Sequence, residues 1–134
     1  MAIEQVSESV RVEGFNSSDV FELVQQTLAE NGAELTKKVG GVILVKVTGK
    51  NKVEVSWIID AKNNSGSVRI AEPEVKGDTT ISISDDDLMK LFNGTLTAAR
   101  ALLTRRIKVQ GDMGLAMKLQ SLANNPPLPL QAKL

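Results

Sequence analysis

The sequence predicts an α+β fold, with short strands gathered into a sheet and helices before, between and after them. Three observations carry this. Val53, Val55, Trp57 and Ile59 alternate with Glu54, Ser56, Ile58 and Asp60, the period of two that marks a strand. Ser84 precedes Asp85-Asp86-Asp87, a helix cap followed by acids set against the positive end of the helix dipole. Ahead of any strand, Val20, Phe21, Val24 and Leu28 recur at helical spacing.

Taken in order, residues 1–14 mix Glu, Ser and Val, with Ile3, Val6 and Val10 only loosely spaced, and are expected to form a frayed leader. The domain proper is expected over residues 15–123 and a flexible tail over 124–134. Asn16-Ser17-Ser18-Asp19 offers capping side chains for the first helix, and Asn31-Gly32 reads as its stop. Gly40-Gly41 introduces Val42-Ile43-Leu44-Val45-Lys46-Val47, a β-branched run suited to a strand buried on both faces. Thr48-Gly49-Lys50-Asn51 turns the chain into the Trp57 strand, and Asn63-Asn64-Ser65-Gly66 turns it again into a third strand over Ser67 to Ala71. Glu72-Pro73-Glu74 breaks the meander and begins a crossover to a fourth strand, Thr79 to Ile83, with Ile81 and Ile83 on one face. The capped helix then runs from Asp85 to Phe92 and closes at Gly94. A helical stretch carrying Leu96, Ala99, Leu102 and Leu103 leads to a fifth strand at Ile107-Lys108-Val109. Asp112 caps a final helix, which Asn124-Asn125-Pro126-Pro127 stops.

Composition narrows the function. The 134 residues suit one domain, and 42% hydrophobic with 24% charged residues is the balance of a folded globule. The formal net charge is zero, which points to no nucleic-acid partner. His, Cys and Tyr are absent. With them go the proton carrier suited to neutral pH, the thiolate nucleophile, the phenolic acid and zinc sites built on His or Cys. No phosphate-cradling or nucleophile-elbow motif occurs, so neither cofactor nor catalysis is expected. No apolar run approaches the ~20 residues of a membrane span, and no secretory leader pattern opens the chain.

The final helix is greasier than one core requires. On a helical wheel Leu115, Leu119 and Leu122 share one side, while Met113, Ala116 and Met117 share another with Gln120 among them. Together they span roughly 220°, about twice the ~100° stripe that a surface helix buries. Read from pattern alone, both faces can simply be core.

The segment Met113-Gly114-Leu115-Ala116-Met117-Lys118-Leu119-Gln120 resembles the sterol carrier protein 2 family of nonspecific lipid-transfer proteins. So do Lys37-Lys38-Val39-Gly40-Gly41, Trp57-Ile58-Ile59-Asp60-Ala61-Lys62-Asn63, Gly66-Ser67-Val68, Asp78-Thr79-Thr80-Ile81 and Ile107-Lys108-Val109-Gln110-Gly111, in the same order. The resemblance covers residues 15 to 134. It implies an α-β(3)-crossover-β-α-β arrangement: a five-stranded mixed sheet with helices on one side enclosing an apolar lipid tunnel. Leu115, Leu119 and Leu122 would then anchor the last helix, while Met113, Ala116 and Met117 face the tunnel with thioethers that adapt to different lipids. The wall is expected to draw on Phe21, Val24, Leu44, Trp57, Ile59, Ile83, Leu88, Phe92, Leu102, Leu103, Met113, Ala116, Met117 and Gln120. Burying ~15 methylenes at ~0.8 kcal/mol each offers about 12 kcal/mol gross. Against an association cost of ~4 to 15 kcal/mol, that suits a reversible carrier of low selectivity.

Two departures stand out. Leu102-Leu103 occupies the place of two Phe residues in vertebrate members, and Arg105 stands where those members carry Gly. If that Gly has positive φ, either Arg105 is strained or the turn differs here. The terminal Ala132-Lys133-Leu134 is similar to the tripeptide read by the peroxisomal import receptor. The resemblance therefore implies a peroxisomal matrix carrier of fatty acids, fatty acyl-CoA and sterols or phospholipids. Its partners would be a fatty acyl ligand, the import receptor and, transiently, membranes. The alternative is an accessory module that docks on peroxisomal β-oxidation enzymes and binds little lipid.

Overall fold

A computed structural model of the chain describes residues 9–63, 66–72, 74–116 and 118. Helix α1 (Ser18–Val39) leads into strands β1 (Gly41–Thr48), β2 (Glu54–Ala61) and β3 (Ser67–Ala71). A crossover connects to β4 (Thr79–Ser84), followed by α2 (Asp85–Phe92), α3 (Ala98–Leu103) and β5 (Ile107–Gly111). The strands form one sheet in the order β3-β2-β1-β4-β5. All neighbours are antiparallel except β1 and β4, so the sheet is mixed. Residues 113–116 and 118 open a further helix, with the Leu115 amide donating to the Asp112 carboxylate at 3.2 Å.

Register separates the two faces. Ile43 pairs with Ile59, Val45 with Trp57 and Ile81, and Val47 with Ile83, which places these side chains on one face. Phe21, Val24, Leu28, Leu35 and Val39 of α1, Leu88 of α2 and Leu115 cover that face and complete the core. Thus α1 and α2 and the start of the last helix lie on one side of the sheet. α1 sits over β2 and β3, α2 against β4 and β1, and α3 beside β5.

Helix α1 does not stop at Asn31-Gly32. Asn31 leaves helical geometry (φ −134°, ψ 29°), but the helix resumes to Val39 and ends at Gly40, whose φ of 67° suits the left-handed cap. Leu35, Thr36 and Val39 are buried on the second half, so packing overrides the local stop signal and leaves a kink. At the other end, the Ser17 side chain makes no capping bond. The cap comes from afar: the Asp85 carboxylate accepts the backbone N–H groups of Ser17 at 2.7 Å and Asn16 at 3.1 Å.

The leader expected to fray over residues 1–14 is packed in its described part. Val10 is 1% exposed, and its carbonyl accepts the Trp57 indole N–H at 2.7 Å. Arg11 donates to Glu22 at 2.8 and 3.0 Å and also reaches Asp19. Residues 1–8 lie outside the described residues.

Candidate functional site

Six of the fourteen expected wall residues converge in the core on one face of the sheet. Phe21, Val24, Trp57, Ile59, Ile83 and Leu88 all belong to the buried cluster. Phe21 stacks on Trp57 with centroids 4.3 Å apart and planes 8° from parallel, and Phe15 meets the indole edge-on at 5.9 Å. This aromatic knot fills the α1 half of the face: Phe21 and Trp57 are fully buried against one another, and Phe15 is nearly so.

The other half of the face is different. Beside the buried Ile81 and Ile83 stand their β5 partners, Val109 and Ile107, both half-buried. Leu91 of α2, Val55 of β2 and Ala116 of the last helix are likewise half-buried against the same core. An aliphatic strip therefore runs along β4 and β5, framed by α2 and by the start of the last helix. Leu115 fixes that frame. It is 5% exposed, and its side chain occupies the space above Gly41, where an added Cβ would come within 2.5 Å of Leu115 Cδ2.

Three expected wall residues lie elsewhere. Leu44 is buried, but it alternates with Ile43 and Val45 and pairs with Ile58 on the opposite face. The unbroken β-branched run gave no sign of which side each residue takes. Leu103 is 83% exposed, so it lines no interior wall. Met113, at the helix start, is 46% exposed. Phe92, Leu102 and Ala116 are half-buried. Met117, Gln120 and the anchors Leu119 and Leu122 lie outside the described residues, as do Ala132, Lys133 and Leu134. The sequence reading missed Val55, Leu91, Ile107 and Val109. The alternation of Ile107 and Val109 around Lys108 was the available signal for the last two.

Cavities of 790 Å³ and 510 Å³ open among the described residues. The first lies between residues 9–16, the β1–β2 turn and the start of α2; the second lies beside Gly40, Lys62, Asp78 and Lys118. Charged and polar groups line much of both, and neither is the apolar tunnel that the resemblance implies.

At the turn after α3, Arg105 has φ of 62°. Its N–H donates to the Leu102 carbonyl at 3.2 Å, and the Arg106 N–H donates to the Ala101 carbonyl at 2.9 Å. This is the paired bonding of a Schellman cap with an arginine in the position that favours glycine.

Sheet order, a helical cover on one side and the strip on β4 and β5 together describe a recognised domain. Residues 21–124 match the SCP-2 sterol transfer family. The chain belongs to that family. It is similar to sterol carrier protein 2 of Bos taurus, with 38% identity over 125 residues, covering 92% of this chain and 23% of the relative. It is also similar to peroxisomal multifunctional enzyme A of Dictyostelium discoideum, with 36% identity over 122 residues, covering 91% and 27% of the two chains. This SCP-2 chain thus spans about a quarter of the length of the curated relatives it matches. Among solved structures, the apo form of sterol carrier protein 2 from Yarrowia lipolytica superposes with a TM-score of 0.78 and 30% identity. That match covers 88% of this chain and 97% of the other.

Proposed function

We propose that this SCP-2 domain is a non-catalytic carrier of fatty acyl lipids, holding the hydrocarbon tail against the β4–β5 strip beneath the last helix. The supporting observation is the unequal cover of one sheet face: an aromatic knot under α1, but half-buried Ile107, Val109, Leu91 and Ala116 on the other side. Each of these side chains keeps apolar area in contact with water that an acyl chain would remove, at about 25 cal/mol per Å². Met117 and Gln120 are proposed to complete the wall, the thioether against the tail and the amide toward a headgroup. Ligands of this kind are fatty acids and fatty acyl-CoA, with sterols or phospholipids admitted by the low selectivity of an aliphatic wall.

The place of action is proposed to be the peroxisomal matrix, through capture of Ala132-Lys133-Leu134 by the import receptor. The similarity to a relative named as a peroxisomal multifunctional enzyme supports this address. Native mass spectrometry of the purified chain, followed by displacement of a fluorescent fatty acid, tests the carrier. Bound lipid and displacement are the expected results. A chain that binds no fatty acid and instead captures a β-oxidation enzyme would replace the carrier with an accessory module. For the address, deletion of Leu134 should leave displacement unchanged and abolish import.

A further inference from the structure

The chain is neutral overall but its charge is divided along the sequence. Residues 1–87 carry fifteen acids against nine bases, whereas residues 88–134 carry seven bases against one acid, Asp112. Between Asp87 and Asp112 no acid occurs, and five bases do: Lys90, Arg100, Arg105, Arg106 and Lys108. Such asymmetry signals a polyanionic partner even where the total charge does not.

The fold concentrates part of this charge at one place, the C-terminal turn of α3. Arg100 and Leu103 are three residues apart and so share a helix face. Arg105 and Arg106 follow in the Schellman turn, and all three arginines are exposed. The Asp87 carboxylate lies 3.8 Å from Arg106. Arg100 and Arg105 have no acidic partner among the described residues. Between Arg100 and Arg105 in sequence, Leu103 is the most exposed large hydrophobic side chain of the described residues, at 83%.

We infer that this turn docks on anionic bilayer surfaces, Leu103 entering just below the headgroups while Arg100, Arg105 and Arg106 meet the lipid phosphates. An exposed leucine flanked along the chain by exposed arginines is the pattern of an interfacial contact, in which a small apolar insertion and a basic patch each supply part of the affinity. A nucleic acid would use the charge but gain nothing from Leu103, and the turn offers no aromatic ring for base stacking. Among the described residues no helix is long and apolar enough to cross a membrane, so the contact is peripheral. Docking has a geometric consequence as well. Arg106 is followed directly by Ile107, the first residue of β5 and one end of the aliphatic strip, so the bilayer would lie at the strip's end. The contact itself does not depend on the strip holding lipid.

The test is sedimentation of the full chain with vesicles of phosphatidylcholine, alone or with phosphatidylserine as a third of the lipid. The wild-type chain should bind the anionic vesicles, release them as salt rises and ignore the neutral ones. Each basic group near such a surface is worth roughly a fivefold change in partitioning, so Arg100→Gln with Arg105→Gly should weaken binding about twenty-five-fold. Arg105→Gly also relieves the positive-φ strain, so a loss of binding with unchanged or raised thermal stability excludes unfolding as its cause. Leu103→Ser should weaken binding several-fold by removing the apolar insertion. Fluorescent fatty acid displacement should be unchanged in these variants, which separates the docking turn from the lipid site. Vesicle binding equal to wild type in the arginine variant would overturn the inference. So would an equal loss from Lys50→Gln with Lys52→Gln at the β1–β2 turn, or binding to duplex DNA tighter than to the vesicles.

Discussion

Gly41→Ala is a small substitution with an effect opposite in sign to the usual one. Replacing glycine by alanine where φ is ordinary stabilises a fold by about 0.4–1 kcal/mol, because the unfolded chain has less freedom to lose. Gly41 has no positive φ, yet its added methyl would lie 2.5 Å and 2.8 Å from the two Leu115 methyls and 3.2 Å from Cγ. Leu115 must move, and it is 5% exposed in the core, so the displacement forfeits much of a buried leucine's ~2–3 kcal/mol. Gly41→Ala alone is therefore expected to destabilise by about 1–2 kcal/mol. Leu115→Ala alone should cost about 2–4 kcal/mol by emptying the same space. In the Leu115→Ala background the methyl at position 41 meets no obstacle, and Gly41→Ala should become neutral or stabilising. Urea denaturation of the four proteins gives the coupling, expected to be about 2 kcal/mol in favour of the double variant. A cost for Gly41→Ala that is the same in both backgrounds would refute the seating of Leu115 on β1. Fatty acid affinity belongs to the same cycle: it should fall with either single substitution, since both release the helix proposed to close the strip.

Arg105→Gly should raise stability by about 0.5–1 kcal/mol, the left-handed penalty less the entropy that glycine adds to the unfolded chain. For 134 residues at ~2.1 cal/mol/K each, calorimetry should show Tm up by ~2–4 °C. Asp85→Ala should cost about 2–3 kcal/mol in urea denaturation, because two backbone N–H groups at the start of α1 lose their carboxylate. Asp85→Asn keeps one acceptor oxygen and should cost less. Asp60 is partly desolvated, which raises its pKa, but bonds from the Asn63 side chain and from the Asn63 and Lys62 amides outweigh this and hold it below its ordinary value. The stability it lends is therefore present above the ordinary carboxylate value and is lost as pH falls through the lowered one. Asp60→Asn should flatten that acid-side decline in a thermal scan against pH.

Legibility in the sequence followed the locality of the signal. β2, β3 and α2 were readable because alternation around Trp57, the turn at Asn63 to Gly66 and the Ser84 cap act within a few residues; the Asp87 N–H does donate to Ser84 Oγ at 3.1 Å. The expected strain at Arg105 was readable too, from a comparison of residue types. The misreadings involve distant partners. Asn31-Gly32 is a sound local stop, but Leu35 and Val39 extend the spacing of Leu28 by seven and eleven residues and bind the second half to the sheet. Val10 looked unpatterned because its partner, the Trp57 indole, lies 47 residues away. Asp85 belongs to an acidic first turn, and nothing near it marks a bond to Ser17, 68 residues before. The resemblance puts Leu44 and Leu103 in the wall, but residue type does not report direction; register turns Leu44 to the other face and Leu103 is exposed.

The division of the sheet face also follows from lengths. α1 has 22 residues, about 33 Å at 1.5 Å per residue, and can cover its half of the sheet from end to end. On the other half β4 has six residues, about 20 Å long, while the eight residues of α2 span only ~12 Å. α2 therefore leaves part of the strip beyond its reach, where Val109 and Ile81 lie on the Gly111 side of Ile107 and Ile83. The remaining cover begins at Asp112, and its first buried contact is Leu115 on Gly41. Gly41 belongs to β1, across β4 from β5, so the chain passes from the end of β5 to a contact on β1 within the few residues between Gly111 and Leu115. A cover attached at one side of a row of half-buried aliphatic groups is the arrangement on which the proposed carrier role rests. The same sheet face packed by a longer α2 would be ordinary core.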